Sequence, residues 1–539
     1  MLNQLEATPL WTVMALDYEL GYLLEPKAAP AGWQPDGRAL ATFWRFGERQ
    51  ALSAAEAEAW LAAQAGPAGI VDCQPAISEK DYLFAVDRIK ALISAGDCYQ
   101  VNYTFPLDFA WFGSPLALYT RLRARQPVSY GGFVGDAAGG LVSLSPELFL
   151  ERRGQRLITR PMKGTAPRTA PAQTLRDSVK DCAENLMIVD LLRNDLGRVA
   201  ENGSVKVDAL FAIEDYPTVW QMVSEVSACV RNKGLAEILR ALFPCGSITG
   251  APKVRAMQII GELEREARGI YTGALGWLAP DGDFRLNVAI RTLTLAADHR
   301  GRMGIGSGIV ADSQGAAEWQ ECLLKASFLS ACDPGILLIE TLRREAGVYP
   351  RLEGHLARLR HSAARLGFAC DEAAVLAALA AQPGEGRWRV RLTLDKAGKV
   401  AVQSFPLGEE PPGPRLAWLA AETIDADYPL RQLKTSDRAI YDRALQAIAA
   451  QPAVFDVVFL NQRGEVAEGA RSNVFVERDG VLLTPPLNSG ALPGVLRAEL
   501  LASGQAREAV LYPADLAGGF YLGNALRGMV WVTLTEGAG

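Results

Sequence analysis

GSGIVADSQGAAEWQECLLKA, residues 306–326, is the stretch on which the reading of this chain turns. It starts as a glycine-rich strand, where missing side chains let a ligand approach the backbone. It continues into a helix expected over 315–330. Glu318 and Glu321 are spaced i, i+3 and share a face of that helix, and Lys325 follows Glu321 by four. A solvated charged face with an i, i+4 ion pair fits this spacing. So does a Mg²⁺ site, since Mg²⁺ takes a few carboxylates, several waters and oxygens of the substrate itself. Spacing alone leaves both readings open. A second carboxylate helix lies upstream at 178–197, SVKDCAENLMIVDLLRNDLG, with Leu186, Val189, Leu192 and Leu196 expected on its buried stripe. It carries Asp181 and Glu184. Between the two helices, GSITGAPK at 246–253 reads as a glycine-rich turn feeding a helix opened by Pro252, an expected anion cradle. It lacks the ending of a Walker A loop. Lys163 stands in RPMKGTAPR just after a strand. A lysine there is by default a solvated charge, but desolvation could lower its pKa and make it a nucleophile.

The whole chain bounds the chemistry. Its 539 residues exceed one core and suggest two or more domains. A net charge of −6 gives no reason to expect nucleic acid or an acidic membrane as partner. The N-terminal MLNQLEATPL does not read as a signal peptide, and no run approaches the roughly 20 apolar residues of a membrane span. Eight scattered Cys without a CxxC pair read as reduced thiols of a cytoplasmic protein. With only three His (His299, His355 and His361), a histidine-rich metal site or a Ser-His-Asp triad is not expected. Acid and base work falls to Glu, Asp, Lys and Tyr.

Strands and helices intermix throughout, an α/β (α+β) pattern. Ser78 caps a helix with Tyr82, Ile89, Leu92 and Ile93 on its apolar face. A joint at Asp333-Pro334-Gly335 separates residues 1–333 from 334–539. The second half divides into a small lobe at 335–407, a proline-rich linker at 408–415 and a large lobe at 416–539. Its only lysines are Lys396, Lys399 and Lys434. The first two lie in a turn, so Lys434 is the Schiff-base candidate by elimination. Arg358 on a helix is either solvated or a phosphate ligand. Glu468 at a strand turn could pair with a protonated pyridine nitrogen.

In the first half, seven blocks follow one another in order: GDCYQVN (96–102), SPELF (145–149), RPMKGTAPR (160–168), KDCAENLMIVDLLRNDLGRV (180–199), GSITGAPKVRAM (246–257), YTGALGW (271–277) and GSGIVADSQGAAEWQECLLKA. Together they resemble the chorismate-binding enzymes, with a recognisable core over 78–330 and a fold of β-sheets flanked by helices. Among these enzymes, the lysine of the KGT block resembles aminodeoxychorismate synthases; anthranilate synthases usually carry Ala there. The resemblance implies that Lys163 attacks chorismate covalently and that Glu147 is the general acid/base. It implies that Glu184, Glu318 and Glu321 hold Mg²⁺, and that Thr165, Tyr271, Arg291, Gly306, Gly308 and Lys325 bind the substrate. Gln221 stands where many relatives have His. No glutaminase cysteine motif is visible, so ammonia would come from solution or from a separate glutamine amidotransferase subunit.

In the second half, RLEGHLARLRHSAARLGF, LKTSDRAIYDRAL, FDVVFLNQRGEVAEGARSNVFV, LLTPPLNSGALPGVLR and GNALRG resemble the fold-type IV pyridoxal-phosphate enzymes. That resemblance implies that Lys434 holds pyridoxal phosphate. Arg358 and the backbone of Gly494, Val495 and Leu496 would take its phosphate, Glu468 would face its ring nitrogen, and Asn524 and Ala525 would lie beside it. It also implies a homodimer through this half. Lyase and aminotransferase remain alternatives on these residues alone. The pairing of halves favours the lyase, and hence a bifunctional route from chorismate to 4-aminobenzoate for folate. The rivals are an anthranilate synthase-like half fused to an aminotransferase, and a non-catalytic chorismate-binding scaffold.

Overall fold

Thr12 to Leu16 pair antiparallel with Ala274–Leu278 on one side and with Ala41–Phe46 on the other, and a broad sheet grows outward from this pairing. The computed structural model describes residues 10–215, 219–409 and 413–535. The sheet's spatial order is Lys206–Asp215, Val219–Cys229, Arg156–Arg160, Leu148–Arg153, Phe284–Asn287, Ala274–Leu278, Trp11–Leu16 and Ala41–Phe46; Met162–Pro167 joins at Val219–Cys229. A second sheet contains Gln100–Phe112, Arg300–Ile309, Thr292–Leu295, Gly139–Ser143 and Gly132–Asp136. Apolar side chains join the two layers: Ala15 and Leu275 of the first meet Val134 and Leu141 of the second. Asn287 Nδ2 donates across to Ser143 Oγ at 3.1 Å.

Helices begin where the capping chemistry places them. Ser78 Oγ accepts from Asp81 N ahead of the helix Glu79–Ser94, and Ser178 does the same for Val179–Gly197. The helix Gly315–Ser330 matches the expected span. One stripe differs. The buried face of Val179–Gly197 is Asn185, Ile188, Val189, Leu192, Asp195 and Leu196, whereas Leu186 is 44% exposed. Asn185 takes the inward position because its Oδ1 accepts from Ser224 Oγ at 2.6 Å, so polar complementarity displaces the leucine from that row.

The chain divides by contacts into two units. The second comprises Asp333–Gly539 together with two upstream strips, Gly66–Asp72 and Ala110–Gly113. A boundary drawn only along the sequence omits these strips. Val71 and Phe112 are nonetheless fully buried in this unit's core, and Asp72 accepts from Arg365 Nη2 at 2.7 Å. The small lobe is an antiparallel sheet of Leu338–Glu345, Arg387–Leu394 and Val400–Pro406. Leu338, Leu342, Val390 and Leu392 pack on Leu356, Leu359 and Ala363 of the helix Leu352–Leu366. The large lobe is an eight-stranded sheet around Leu416–Leu419, which runs parallel to both Val454–Leu460 and Gly528–Thr535. Residues 1–9 and the middle of the expected linker, Glu410-Pro411-Pro412, lie outside the described residues.

Candidate active sites

A defect in strand pairing aims Lys163. Thr165 pairs with Gln221 and Met162 with Val223, so Lys163 and Gly164 together oppose the single residue Met222. This is a β-bulge, which bends its strand and turns a side chain out of register. Gly164 adopts φ +86°, left-handed space open to glycine. A Cβ there would also sit 3.0 Å from the Cβ of Asp181. Lys163 is half-buried. Its ammonium acts electrostatically on Glu147 and Glu321.

Glu147 is 5% exposed. Burial pushes its carboxyl up to about 7, partly offset by the Ser247 hydroxyl and the Lys163 charge. Ser247 Oγ donates to Glu147 Oε1 at 2.7 Å. Ser247 was not singled out from the sequence. GSITGAPK read as an anion cradle at a helix start; in the structure Gly246, Ser247 and Ile248 are buried and Lys253 is paired with Asp195. The loop's polar groups face inward, and one of them holds the acid. A hydroxyl inside a glycine-rich turn was the available signal.

The helix Gly315–Ser330 supplies the other wall. Lys325 Nζ donates to Gly306 O at 3.1 Å and pairs with Glu321 at 2.9 Å. Charges on Lys325, Lys163 and Lys180 hold the Glu321 carboxyl below its usual range against burial. Lys180 lies 4.0 Å from Glu184, which brings both carboxylates within reach of one cluster of lysines. Glu318 has a different partner, accepting from Ser313 Oγ at 2.8 Å. Among the described residues, no three acidic, histidine or cysteine side chains converge as a metal site. Glu184 and Glu321 suit a cation that takes one or two carboxylates plus substrate oxygens, as Mg²⁺ does. The Tyr271 ring lies against Gly304, where a Cβ would come within 2.1 Å of it. Gly308 is equally bare, since a Cβ there would meet Asn102 Oδ1 at 2.9 Å. Arg291 has φ +48°, a costly conformation for a side-chain-bearing residue. Its carbonyl accepts from Leu144 N, three residues before Glu147. Thr165 Oγ1 donates to Gln221. A cavity of about 60 Å³ opens among Tyr103, Phe105, Glu264, Arg268, Tyr271 and Arg302; of the expected site residues only Tyr271 touches it.

In the second unit, Lys434 is pushed down to about 8. Burial is the main cause; the charges of Arg358 and Arg438 add to it, and Glu340 and Glu468 oppose it. Its ammonium makes no hydrogen bond among the described residues. Glu468 receives the Tyr441 hydroxyl at 2.5 Å and Leu492 N–H at 2.9 Å, and burial raises its pKa. The helix Val495–Ala502 starts after Gly494, where a Cβ would strike Asn473 Oδ1 at 1.9 Å. Gly354 lets the helix Leu352–Leu366 close on Val495, which brings Arg358 Nη1 to Pro493 O at 3.2 Å. A cationic side chain thus stands beside free N–H groups at a helix start, a donor set that fits a phosphate ester. Asn524 Oδ1 accepts from Leu526 N and Arg527 N, shaping the late loop. Ala525 lines a small pocket together with Arg343, Tyr349 and His355.

Sequence reading also missed Glu340. It is 3% exposed and accepts from His355 Nδ1 at 2.6 Å and from Arg358 Nε and Nη2 at 2.8 and 2.6 Å. Despite burial, Arg358 and His355 hold its carboxyl down at about 2. Glu340→Ala leaves a buried guanidinium uncompensated and is expected to destabilise the protein by about 3–5 kcal/mol, measured by urea unfolding. The sign with pH follows. The folded pKa lies below the unfolded value of about 4.3, so the contribution is complete above that pH and drains away as pH falls toward 2.

Residues 3–331 match the family profile described as chorismate binding enzyme, and the chain belongs to that family. Residues 337–534 match amino-transferase class IV. Aminodeoxychorismate synthase component 1 of Klebsiella aerogenes is 42% identical over 282 residues, which are 50% of this chain and 62% of that protein. Anthranilate synthase component 1 of Neisseria gonorrhoeae is 40% identical over 257 residues, which are 46% of this chain and 52% of that protein. The chain therefore spans less than two thirds of the length of these relatives. The crystal structure of anthranilate synthase component I from Streptococcus pneumoniae TIGR4 superposes with a TM-score of 0.52 at 27% identity, covering 59% of this chain and 80% of that one. No helix among the described residues is long and apolar enough to cross a membrane.

Proposed function

We propose that this chain makes 4-aminobenzoate in two steps: amination of chorismate to 4-amino-4-deoxychorismate, then elimination of pyruvate. The observation that carries the reading is the bulged Lys163 facing the buried Glu147 within a chorismate-binding unit. Lys163 Nζ, as the free amine, forms a C–N bond to the ring. Glu147, still protonated up to about pH 7, gives its proton to the departing 4-hydroxyl, which leaves as water. Ammonia then forms the product C–N bond and Lys163 departs. Glu184 and Glu321 would hold Mg²⁺, whose charge offsets that of a substrate carboxylate. A separate glutamine amidotransferase subunit would supply the ammonia, and the cytoplasm is the proposed setting.

In the second unit, Arg358 and the N–H groups of Val495 and Leu496 would hold the phosphate of pyridoxal phosphate, and Glu468 its ring nitrogen. The bound cofactor supplies an electron sink for charge developing at the amine-bearing carbon. Lys434 Nζ, with its pKa near 8, removes the proton from that carbon. Loss of pyruvate leaves an aromatic ring, and this half acts as a homodimer. The test supplies chorismate, ammonium and Mg²⁺ with and without pyridoxal phosphate. Equal amounts of 4-aminobenzoate and pyruvate are expected only with the cofactor. Anthranilate, or no aromatic amine, would overturn the reading.

A further inference from the structure

We propose that Gln221 is a positioning residue for Lys163, its side-chain amide clamping the two residues that follow the lysine and so fixing the bulge that aims it. The inference rests on the amination reading above. Gln221 Nε2 donates to Gly164 O at 2.8 Å, and its Oε1 accepts from Thr165 Oγ1 at 2.8 Å. The assignment of the amide is chemically determined. Turned over, its oxygen would face a carbonyl oxygen, and two acceptors would meet. Gln221 is 9% exposed and sits on Val219–Cys229, a strand paired on both sides, so the clamp is anchored on a rigid element. The clamped segment needs it. A bulge lacks a regular ladder bond at the extra residue, and Gly164 at φ +86° has more conformations open to it than any other residue type.

An amide suits this place because one planar group donates and accepts on the same edge, with no charge that changes between pH 5 and 8. A neutral imidazole carries its donor and acceptor on different sides of the ring, and an imidazolium loses the acceptor. Gln221→His should therefore keep at most one arm. Gln221→Glu keeps the acceptor for Thr165 but sets a carboxylate against Gly164 O.

The experiment compares Gln221→Ala, Gln221→Glu and the milder Thr165→Val in the full chain. Thermal unfolding of the full chain, followed by Trp fluorescence, serves as the folding control. A displacement of about 1 Å at a reacting group costs up to about a hundredfold. Gln221→Ala is expected to lower kcat for chorismate amination about tenfold to hundredfold, with KM for chorismate within about threefold. Thr165→Val should give a smaller loss, non-additive with the first because the two share a contact. A second readout is independent of the reaction: acetic anhydride labelling of Lys163, scored by peptide mass spectrometry against Lys180 and Lys325. Gln221→Ala should change the relative labelling of Lys163 at least threefold. Unchanged labelling, or an effect on KM alone, would overturn the clamp. If the wild-type protein forms no aminodeoxychorismate, the amination reading fails, and the labelling still decides whether Gln221 fixes Lys163.

Discussion

Lys434→Ala is expected to stop the protein at aminodeoxychorismate, with 4-aminobenzoate formation reduced on the order of 10⁴-fold. The first unit should keep consuming chorismate at its normal rate, because no residue of that site is altered. The size of the loss follows from two duties joined in one side chain. Lys434 would hold the cofactor and also move the proton, so no partial function survives its removal. Its surroundings suit the second duty. Burial and the repulsion of Arg358 and Arg438 bring the amine to about 8, so the neutral base is populated near physiological pH. For a lysine with lowered pKa, the basic form grows as pH rises through about 8. The pyruvate-forming step should therefore gain rate over that range. The check is product analysis of the variant with pyridoxal phosphate present, in a preparation free of other lyases. Undiminished 4-aminobenzoate would refute the assigned duty. Lys434→Arg should fail equally, because a guanidinium keeps its charge and gives up no lone pair.

Much of this architecture was legible in the sequence, and what escaped follows a physical pattern. Ser78 announced its helix because an N-cap is a local signal, readable within four residues. The helix Gly315–Ser330 was expected over the span it occupies. Leu186 was misplaced because a helical wheel knows hydrophobicity but not that Ser224, 39 residues beyond Asn185, would draw Asn185 inward. Glu340 and Ser247 were missed for a related reason. Each acts through a side chain distant in sequence, Arg358 in one case and Glu147 in the other, and nothing local marks the pairing. Gln221 was noticed only as a departure; its use appeared once the register showed two residues of Met162–Pro167 opposite one of its partner strand. Val71 and Phe112 show the same limit at domain scale. Their strips look like ordinary strand in the first half, yet their side chains are buried in the second unit's core.

Lys163→Ala is expected to reduce chorismate amination on the order of 10³-fold or more, equivalent to about 4 kcal/mol of barrier, while 4-aminobenzoate formation from supplied aminodeoxychorismate is unchanged. A nucleophile splits one difficult displacement into two easier ones, and without it ammonia must displace the hydroxyl directly. A purely electrostatic lysine would lose less on removal, and the protein itself can separate these cases. With chorismate and Mg²⁺ but no ammonia, the wild-type chain should accumulate an adduct on Lys163 weighing chorismate less one water. On the proposed scheme the missing water is the 4-hydroxyl protonated by Glu147. Ammonium should discharge that adduct, and Lys163→Ala should never form it. Glu147→Gln should leave Lys163 in place but slow adduct formation, since an amide cannot give up the proton. In the wild type, adduct formation should weaken as pH rises through about 7, where the raised carboxyl of Glu147 gives up its proton. Absence of any adduct under these conditions, with amination intact, would assign Lys163 a charge-stabilising duty and remove covalent catalysis from the scheme.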